Sequence, residues 1–298
     1  MQINIVDSNF KIGRKSIMEK AIVYLKGGFG NQLFQLSFAN YLRSNGVNVK
    51  INLEFFRNLG DNTPRELILP LSFFDFKSQN YFSKKIFDVN MFLANSSLIN
   101  KLQLDSIFEN FRFTKDDDGL SKISSKTGYF DGYWKSMKYI DFSSEFIFDS
   151  LSKNENINKG LNGSSELAMV HVRRGDFIDN GWDLDINYYE KSLNGLDKKI
   201  KFDIFTDDPK WVKSKKIFKN AENIYSKNNQ LDNEKIDTIL TFSEMLKYKH
   251  FIVGNSSFAF WAAYLKSDIN SYVTVPDPWF KNHNHPVLRK TNWHTIKN

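Results

Sequence analysis

The feature that most constrains this chain is the regular alternation of short apolar runs with amphipathic stretches in its C-terminal half. Residues 167–172, 201–206, 223–225, 251–253 and 272–275 read as strands, and 187–193, 209–218, 233–248 and 257–266 as the helices between them. Strict β/α order calls for a parallel sheet covered by helices on both faces, because each crossover lays a helix across the sheet. Local signals agree. Asn187 with Glu190 three residues on has the form of a capping box, and Asp208 before Pro209 is an N-cap followed by a proline at the first helical position. A second region repeats the pattern. Residues 21–26 form a β-rich run that ends in Gly27-Gly28-Phe29-Gly30, and from Asn31 the apolar residues fall at helical spacing. Asn45-Gly46 closes that helix, and 47–53 reads as the next strand.

The chain has 298 residues, enough for one large or two modest domains. Residues 1–18 read as an extension, 19–160 as an N-terminal domain, 161–275 as a C-terminal domain and 276–298 as a tail. The boundary is placed at the small and polar stretch 161–165, which reads as a linker. Between 55 and 104 the pattern blurs into Phe and Asn with helix-like patches. There is no cysteine, which excludes a disulfide framework, a thiolate nucleophile and a Cys-ligated metal. No run reaches the roughly 18 apolar residues of a membrane span, and the N-terminus lacks the pattern of a secretory signal. Lys and Arg number 41 against 34 Asp and Glu, a surplus of +7. That surplus admits nucleic acid, an anionic membrane face or an anionic small substrate. Lysines concentrate at 198–201 and 210–219, which reads as a solvated face or as a contact with a membrane surface or polyanion.

In doubly wound sheets ligands lie beyond the carboxyl ends of the strands, so the residues that follow each strand carry the functional reading. Gly28, Gly30 and Asn31 belong either to a tight turn or to a loop that brings backbone N–H groups to a phosphate. After 167–172 comes His171-Val172-Arg173-Arg174-Gly175-Asp176. Period-two alternation puts His171 and Arg173 on one face, with Arg174 turned away and expected to pair with Asp176. Arg173 is the candidate for an anionic ligand, since a forked, permanently charged guanidinium can hold a diphosphate. Asp207 follows the next strand as a candidate for a ligand hydroxyl or base edge, beside the capping Asp208. Asn255, Ser256 and Ser257 open an apolar helix, where one serine suffices as the cap and the other suits a phosphate. Asp183-Leu184-Asp185 has the form of a metal clamp but sits in a turn, and His283 and His285 lack a third ligand nearby, so no metal site is assigned. Asp116–Asp118 reads as a solvated turn and His250 as a packing histidine.

Together GGFGNQLFQLSFANYL (27–42), DGYWKSMKYI (131–140), HVRRGDF (171–177), FTDDPKWV (205–212) and GNSSFAFWAAYL (254–265) resemble the ordered motifs of bacterial α-1,2-fucosyltransferases of glycosyltransferase family 11. The close of the chain, PDPWFKN…NWHTI (276–296), is similar as well. The resemblance implies an α/β GT-B fold, two Rossmann-like domains with parallel sheets facing a cleft. It implies inverting transfer of L-fucose from GDP-β-L-fucose to the 2-hydroxyl of a galactose-like unit in surface polysaccharide assembly, with no metal or other cofactor. Donor binding would fall mainly to the C-terminal half and acceptor binding to the N-terminal half. Arg173 would hold the β-phosphate and stabilise departing GDP, and His171 would contact the nucleotide. Gly28, Gly30 and Asn31 would line the donor cleft, Arg174, Asp207 and Asp208 would shape the donor pocket, and Asn255, Ser256 and Ser257 would meet the phosphates. Asp176 is the candidate general base. Where relatives carry a guanine-reading acid, this chain has Thr241, with Asp237 and Glu244 nearby. The expected partners are a nucleotide sugar and an oligosaccharide, lipid-linked in one reading, and the expected location is cytoplasmic with peripheral membrane contact. Alternatives are a fucosyltransferase of other linkage, a transferase of another nucleotide sugar, and a non-catalytic GDP- or sugar-binding module. No motif supports nucleic-acid binding.

Overall fold

The computed structural model describes residues 20–57, 65–79, 113–116, 128–226, 234–281 and 287–298. The extension 1–18, most of 55–104, Asp117, Asp118, His283 and His285 lie outside the described residues.

The N-terminal half contains β1 (Lys20–Tyr24), α1 (Phe29–Ser44), β2 (Asn48–Asn52), β3 (Phe113–Asp116) and β4 (Gly128–Gly132). The four strands among its described residues are all parallel, in the order β2-β1-β4-β3. Three helices follow, α2 (Met137–Phe142), α3 (Ser144–Ser152) and α4 (Glu155–Asn162). The C-terminal half runs β5 (Ser165–Val172), α5 (Gly175–Asp179), α6 (Ile186–Gly195), β6 (Phe202–Thr206), α7 (Pro209–Ser214), β7 (Ala221–Ser226), α8 (Glu234–Met245), β8 (Tyr248–Ile252), α9 (Ser257–Lys266), β9 (Val273–Asp277) and β10 (His294–Lys297). The six strands among its described residues are also parallel, ordered β10-β9-β8-β5-β6-β7. The protein is therefore an α/β structure of GT-B type, with two Rossmann-like sheets facing one cleft.

Several local expectations change. Asp185, not Asn187, caps α6, its side chain accepting from the Asn187 N–H. The helix expected over 209–218 ends at Ser214 and gives way to a 3₁₀ turn at Lys216–Phe218. The helix expected to reach residue 248 stops at Met245, and Tyr248 opens β8. The linker expected at 161–165 is shorter: Leu161 is a buried residue of α4, which ends at Asn162, and Ser165 starts β5, so only Gly163 and Ser164 lie between the two elements. The apolar face of α4, which buries Ile157, Gly160 and Leu161, is what holds that stretch in place. Residues 276–298 contain β10, an edge strand of the larger sheet.

β5 shows why the larger sheet needs cover on both faces. Ala168, Val170 and Val172 pack with Tyr188, Ile204 and Ile252 on one side, while Met169 points into a second cluster on the other. That second cluster is continuous with the core of the N-terminal half. Phe34 of α1 lies 5.3 and 5.2 Å, centroid to centroid, from Phe260 and Trp261 of α9, and Trp261 Nε1 donates to the Gly30 carbonyl at 3.0 Å. The starts of α1 and α9 therefore meet. A Cβ on Gly30 would stand 2.4 Å from the Ser257 carbonyl carbon, so only glycine permits this approach.

Candidate active site

A cleft of about 780 Å³ lies where the carboxyl ends of strands from both sheets face each other. The order of the larger sheet sets the order of its wall. Phe280 follows β9, Asn255–Ser257 follow β8, His171 lies at the end of β5 with Arg173 just after it, Asp207 follows β6, and Tyr225 and Ser226 end β7. The N-terminal half faces them with the loop 27–31 after β1 and with Tyr133 and Lys135 after β4. Gly28, Gly30, Asn31, His171, Arg173, Asp176, Asp207, Asn255, Ser256 and Ser257 thus meet in one place. Arg174 and Asp208 do not line the cleft.

The two arginines divide as their positions on the strand demand. Arg173 Nη1 sits 2.9 Å from Asp207, and Nη2 is paired with Asp176. Arg174 turns away, to Asp183 at 3.0 Å and Asp208 at 3.2 Å, and its guanidinium lies 4.2 Å from the Trp211 ring. The expected Arg174–Asp176 pair is not made: α5 begins at Gly175 and carries Asp176 back over Arg173, while the turn before α6 brings Asp183 to Arg174. Asp183 and Asp185 are thereby used as an ion-pair partner and a helix cap. Asp207 also accepts the Arg174 N–H at 2.8 Å, so one carboxylate ties the β6 end to the backbone and side chain of the HVRRGD segment. Asp208 caps α7 by accepting the Trp211 N–H at 3.0 Å.

His171 is buried, and burial, reinforced by the nearby Arg173, pushes its pKa down to about 3. It is a neutral imidazole over the working range of any enzyme near pH 7. Its Nδ1 is buried without a hydrogen-bond partner, as are Asn31 Oδ1 and Asn255 Oδ1. Three such atoms around one cleft favour a ligand with matching polar groups, because each is costly to bury unmet. Ser256 is the cap of α9, accepting from the Phe258 N–H at 3.3 Å, which leaves Ser257 as the serine not used in capping. The starts of α1 and α9, each bringing backbone N–H groups and a positive dipole end, line the same cleft as Arg173.

Other groups could not be placed from sequence. Gln32 Nε2 donates to the Gly27 and Glu66 carbonyls at 3.0 and 2.8 Å, and Gln35 joins Lys26 N to the Gly132 carbonyl. These two buried glutamines hold the glycine loop, the 65–68 segment and the β4 end together. Their signal was present, as polar residues inside an apolar helical period. Arg65, Glu66, Tyr133 and Lys135 also reach the cleft from the N-terminal half, and Phe177, Trp182, Tyr225 and Phe280 from the C-terminal half. Asp237, Thr241 and Glu244 of α8 line it as well, with Glu244 near Tyr225. His250 is a packing residue, its Nδ1 accepting the Tyr272 N–H at 2.9 Å.

Two parallel α/β halves that face one cleft are the two-domain architecture of GT-B type. The family model described as Glycosyl transferase family 11 matches residues 13–297, and the chain belongs to that family. It is 28% identical over 289 residues to the alpha-1,2-colitosyltransferase of Escherichia coli, which covers 89% of this chain and 93% of that protein. It is 28% identical over 193 residues to the O-antigen biosynthesis glycosyltransferase WbnK of Escherichia coli, covering 58% of this chain and 62% of WbnK. Among solved structures it is similar to NodZ alpha-1,6-fucosyltransferase soaked with GDP-fucose, with TM-score 0.43 and 14% identity over 84% of this chain and 93% of that one. It is also similar to Escherichia coli heptosyltransferase WaaC with ADP, with TM-score 0.38 and 12% identity over 93% of this chain and 90% of that one.

Proposed function

We propose that this glycosyltransferase moves L-fucose from GDP-β-L-fucose to the 2-hydroxyl of a galactose-like unit during surface polysaccharide assembly, with inversion. The observation that carries the reading is Arg173, set just after β5 in a cleft that two helix starts also line, and near a neutral imidazole. As the C1–oxygen bond of the donor breaks, its electron pair stays on the β-phosphate of GDP, and Arg173 stabilises that charge without a metal. Diphosphate binding exchanges the phosphate for one of the two carboxylates that hold Arg173. The acceptor oxygen attacks the opposite face of C1 and gives up its proton. Asp176, the base expected from sequence, is engaged with Arg173. Glu66, which the N-terminal half brings to the cleft, takes the proton in this reading. Asp237 and Glu244 supply carboxylates for a guanine edge, and Glu244 is already paired with Lys247.

A second reading is transfer of colitose, which is fucose without its 3-hydroxyl; it is favoured by the likeness to the alpha-1,2-colitosyltransferase. The O-antigen glycosyltransferase among the relatives supports a polysaccharide acceptor. Among the described residues no helix is long and apolar enough to cross a membrane. Exposed Lys198, Lys199, Lys210, Lys213, Lys216 and Lys219 favour peripheral contact with anionic lipid at the inner face of the membrane.

The test is incubation with GDP-fucose, GDP-colitose and UDP- and dTDP-sugars against a set of galactosides, with EDTA present, followed by linkage analysis of the product. An α-1,2-fucoside is expected, and Arg173→Ala should lower turnover about 10²–10³-fold, as loss of one preorganised charge-stabilising donor does. A 1,3 or 1,6 link, turnover only with UDP- or dTDP-sugars, or an Arg173→Ala enzyme of normal rate would refute the assignment.

A further inference from the structure

The C-terminal half contributes an aromatic wall to the cleft. Phe177 and Trp182, from the segment after β5, and Phe280, from the segment after β9, form a contiguous cluster, with ring centroids 5.7, 5.1 and 6.2 Å apart pairwise. All three line the cleft and are only partly buried. The wall begins beside the central cation, since the Arg173 guanidinium carbon lies 5.4 Å from the Phe177 ring. It ends against the other half, where Lys135 Nζ stands 5.9 Å from the Phe280 ring and 5.0 Å from that of Tyr133. The Asn255 side-chain amide donates to the Trp182 carbonyl and ties the wall to the end of β8.

We infer that this wall is the subsite for the acceptor sugar, a pyranose that lays its C–H face on Trp182 and Phe280. The inference rests on the reading that Arg173 holds the donor diphosphate, and strand order supplies the rest. Arg173 lies just after β5, near the middle of the larger sheet, with β6 and β7 on one flank and β8 and β9 on the other. From β9 to β7 is about 19 Å, or four interstrand spacings. The β7 flank carries Tyr225 stacked on Phe205 at 4.7 Å, together with the carboxylates and hydroxyls of α8. Those groups fit the hydrogen-bonding edge of a nucleobase. With the base on that flank and the diphosphate at Arg173, the reacting carbon emerges on the β8–β9 side, facing the wall. A galactose-like ring suits this surface, because its axial 4-hydroxyl leaves the C–H bonds at C3, C4 and C5 on one face. Dispersion against aromatic carbon then holds the ring, while its hydroxyls stay free for the polar groups of the N-terminal half.

The test combines binding with kinetics. Methyl β-galactoside binding in the presence of GDP is followed by saturation-transfer NMR for the wild type, Trp182→Ala and Trp182→Phe, with GDP affinity measured by calorimetry on each. The wild type should bind the galactoside, Trp182→Ala should lose at least about tenfold in affinity with GDP affinity within twofold, and Trp182→Phe should recover most of it. In turnover, Trp182→Ala should raise the acceptor KM and leave the donor KM unchanged. Should Trp182→Ala lose GDP affinity through a disturbed fold, Phe280→Leu, which keeps an apolar side chain, takes its place in both measurements. A wild type that does not bind the galactoside, or variants that bind it as well as wild type, would overturn the subsite. Failure to turn over GDP-fucose while galactoside binding still depends on Trp182 would instead overturn the donor reading alone.

Discussion

His171 shows how much a single side chain's setting matters at this site. In the unfolded chain it gains a proton near its ordinary value of 6.5, whereas in the folded chain it stays neutral down to about pH 3. Between those values the unfolded state binds more protons, so this residue makes stability fall as pH drops below 6.5. Denaturant midpoints at pH 7 and pH 5 should therefore differ more for the wild type than for His171→Gln, whose side chain does not titrate. An equal difference in both would show that His171 is not held neutral. Arg173 and Arg174 make a related point. They are adjacent and chemically identical, yet one faces a cleft and the other is enclosed by Asp183, Asp208 and Trp211. Period-two alternation separated them correctly. It did not predict their carboxylate partners, which depend on where α5 and the turn before α6 carry Asp176 and Asp183.

At the scale of elements, the site depends on two helix starts placed against each other. α1 and α9 were both legible from their apolar spacing, and the caps at Asp208 and Ser256 follow from residue type. Their mutual approach was not, because it relies on the missing Cβ of Gly30 against the backbone of Ser257 and Phe258. Backbone cannot yield as a flexible side chain would. Gly30→Ala should cost about 1–3 kcal/mol, the range of overpacking, and should also weaken GDP binding by spreading the two helix starts. Thermal melts with and without GDP check this, and an unchanged melting temperature would show that the two starts separate freely.

For the whole molecule, the continuous core across both halves implies joint unfolding. Phe34 is fully buried against Phe260 and Trp261 of the other half. Phe34→Ala should cost about 3–5 kcal/mol and shift a single calorimetric transition. Two resolved transitions, with only the N-terminal one shifted, would mean that the halves are energetically independent.

The sequence by itself determined the class of fold, the parallel sense of the larger sheet, and the strand-end segments from which the cleft is built. It could do so because strand and helix periods, caps and glycine turns are local, and because a parallel sheet places its strand ends on one side. Only the tertiary structure decided which residues share the cleft. Phe177, Trp182 and Phe280 are separated by up to about a hundred residues of chain, and Glu66 and Tyr133 come from the other half. Their meeting is set by strand order and by the packing of α1 on α9, and neither leaves a periodic trace in the segments concerned.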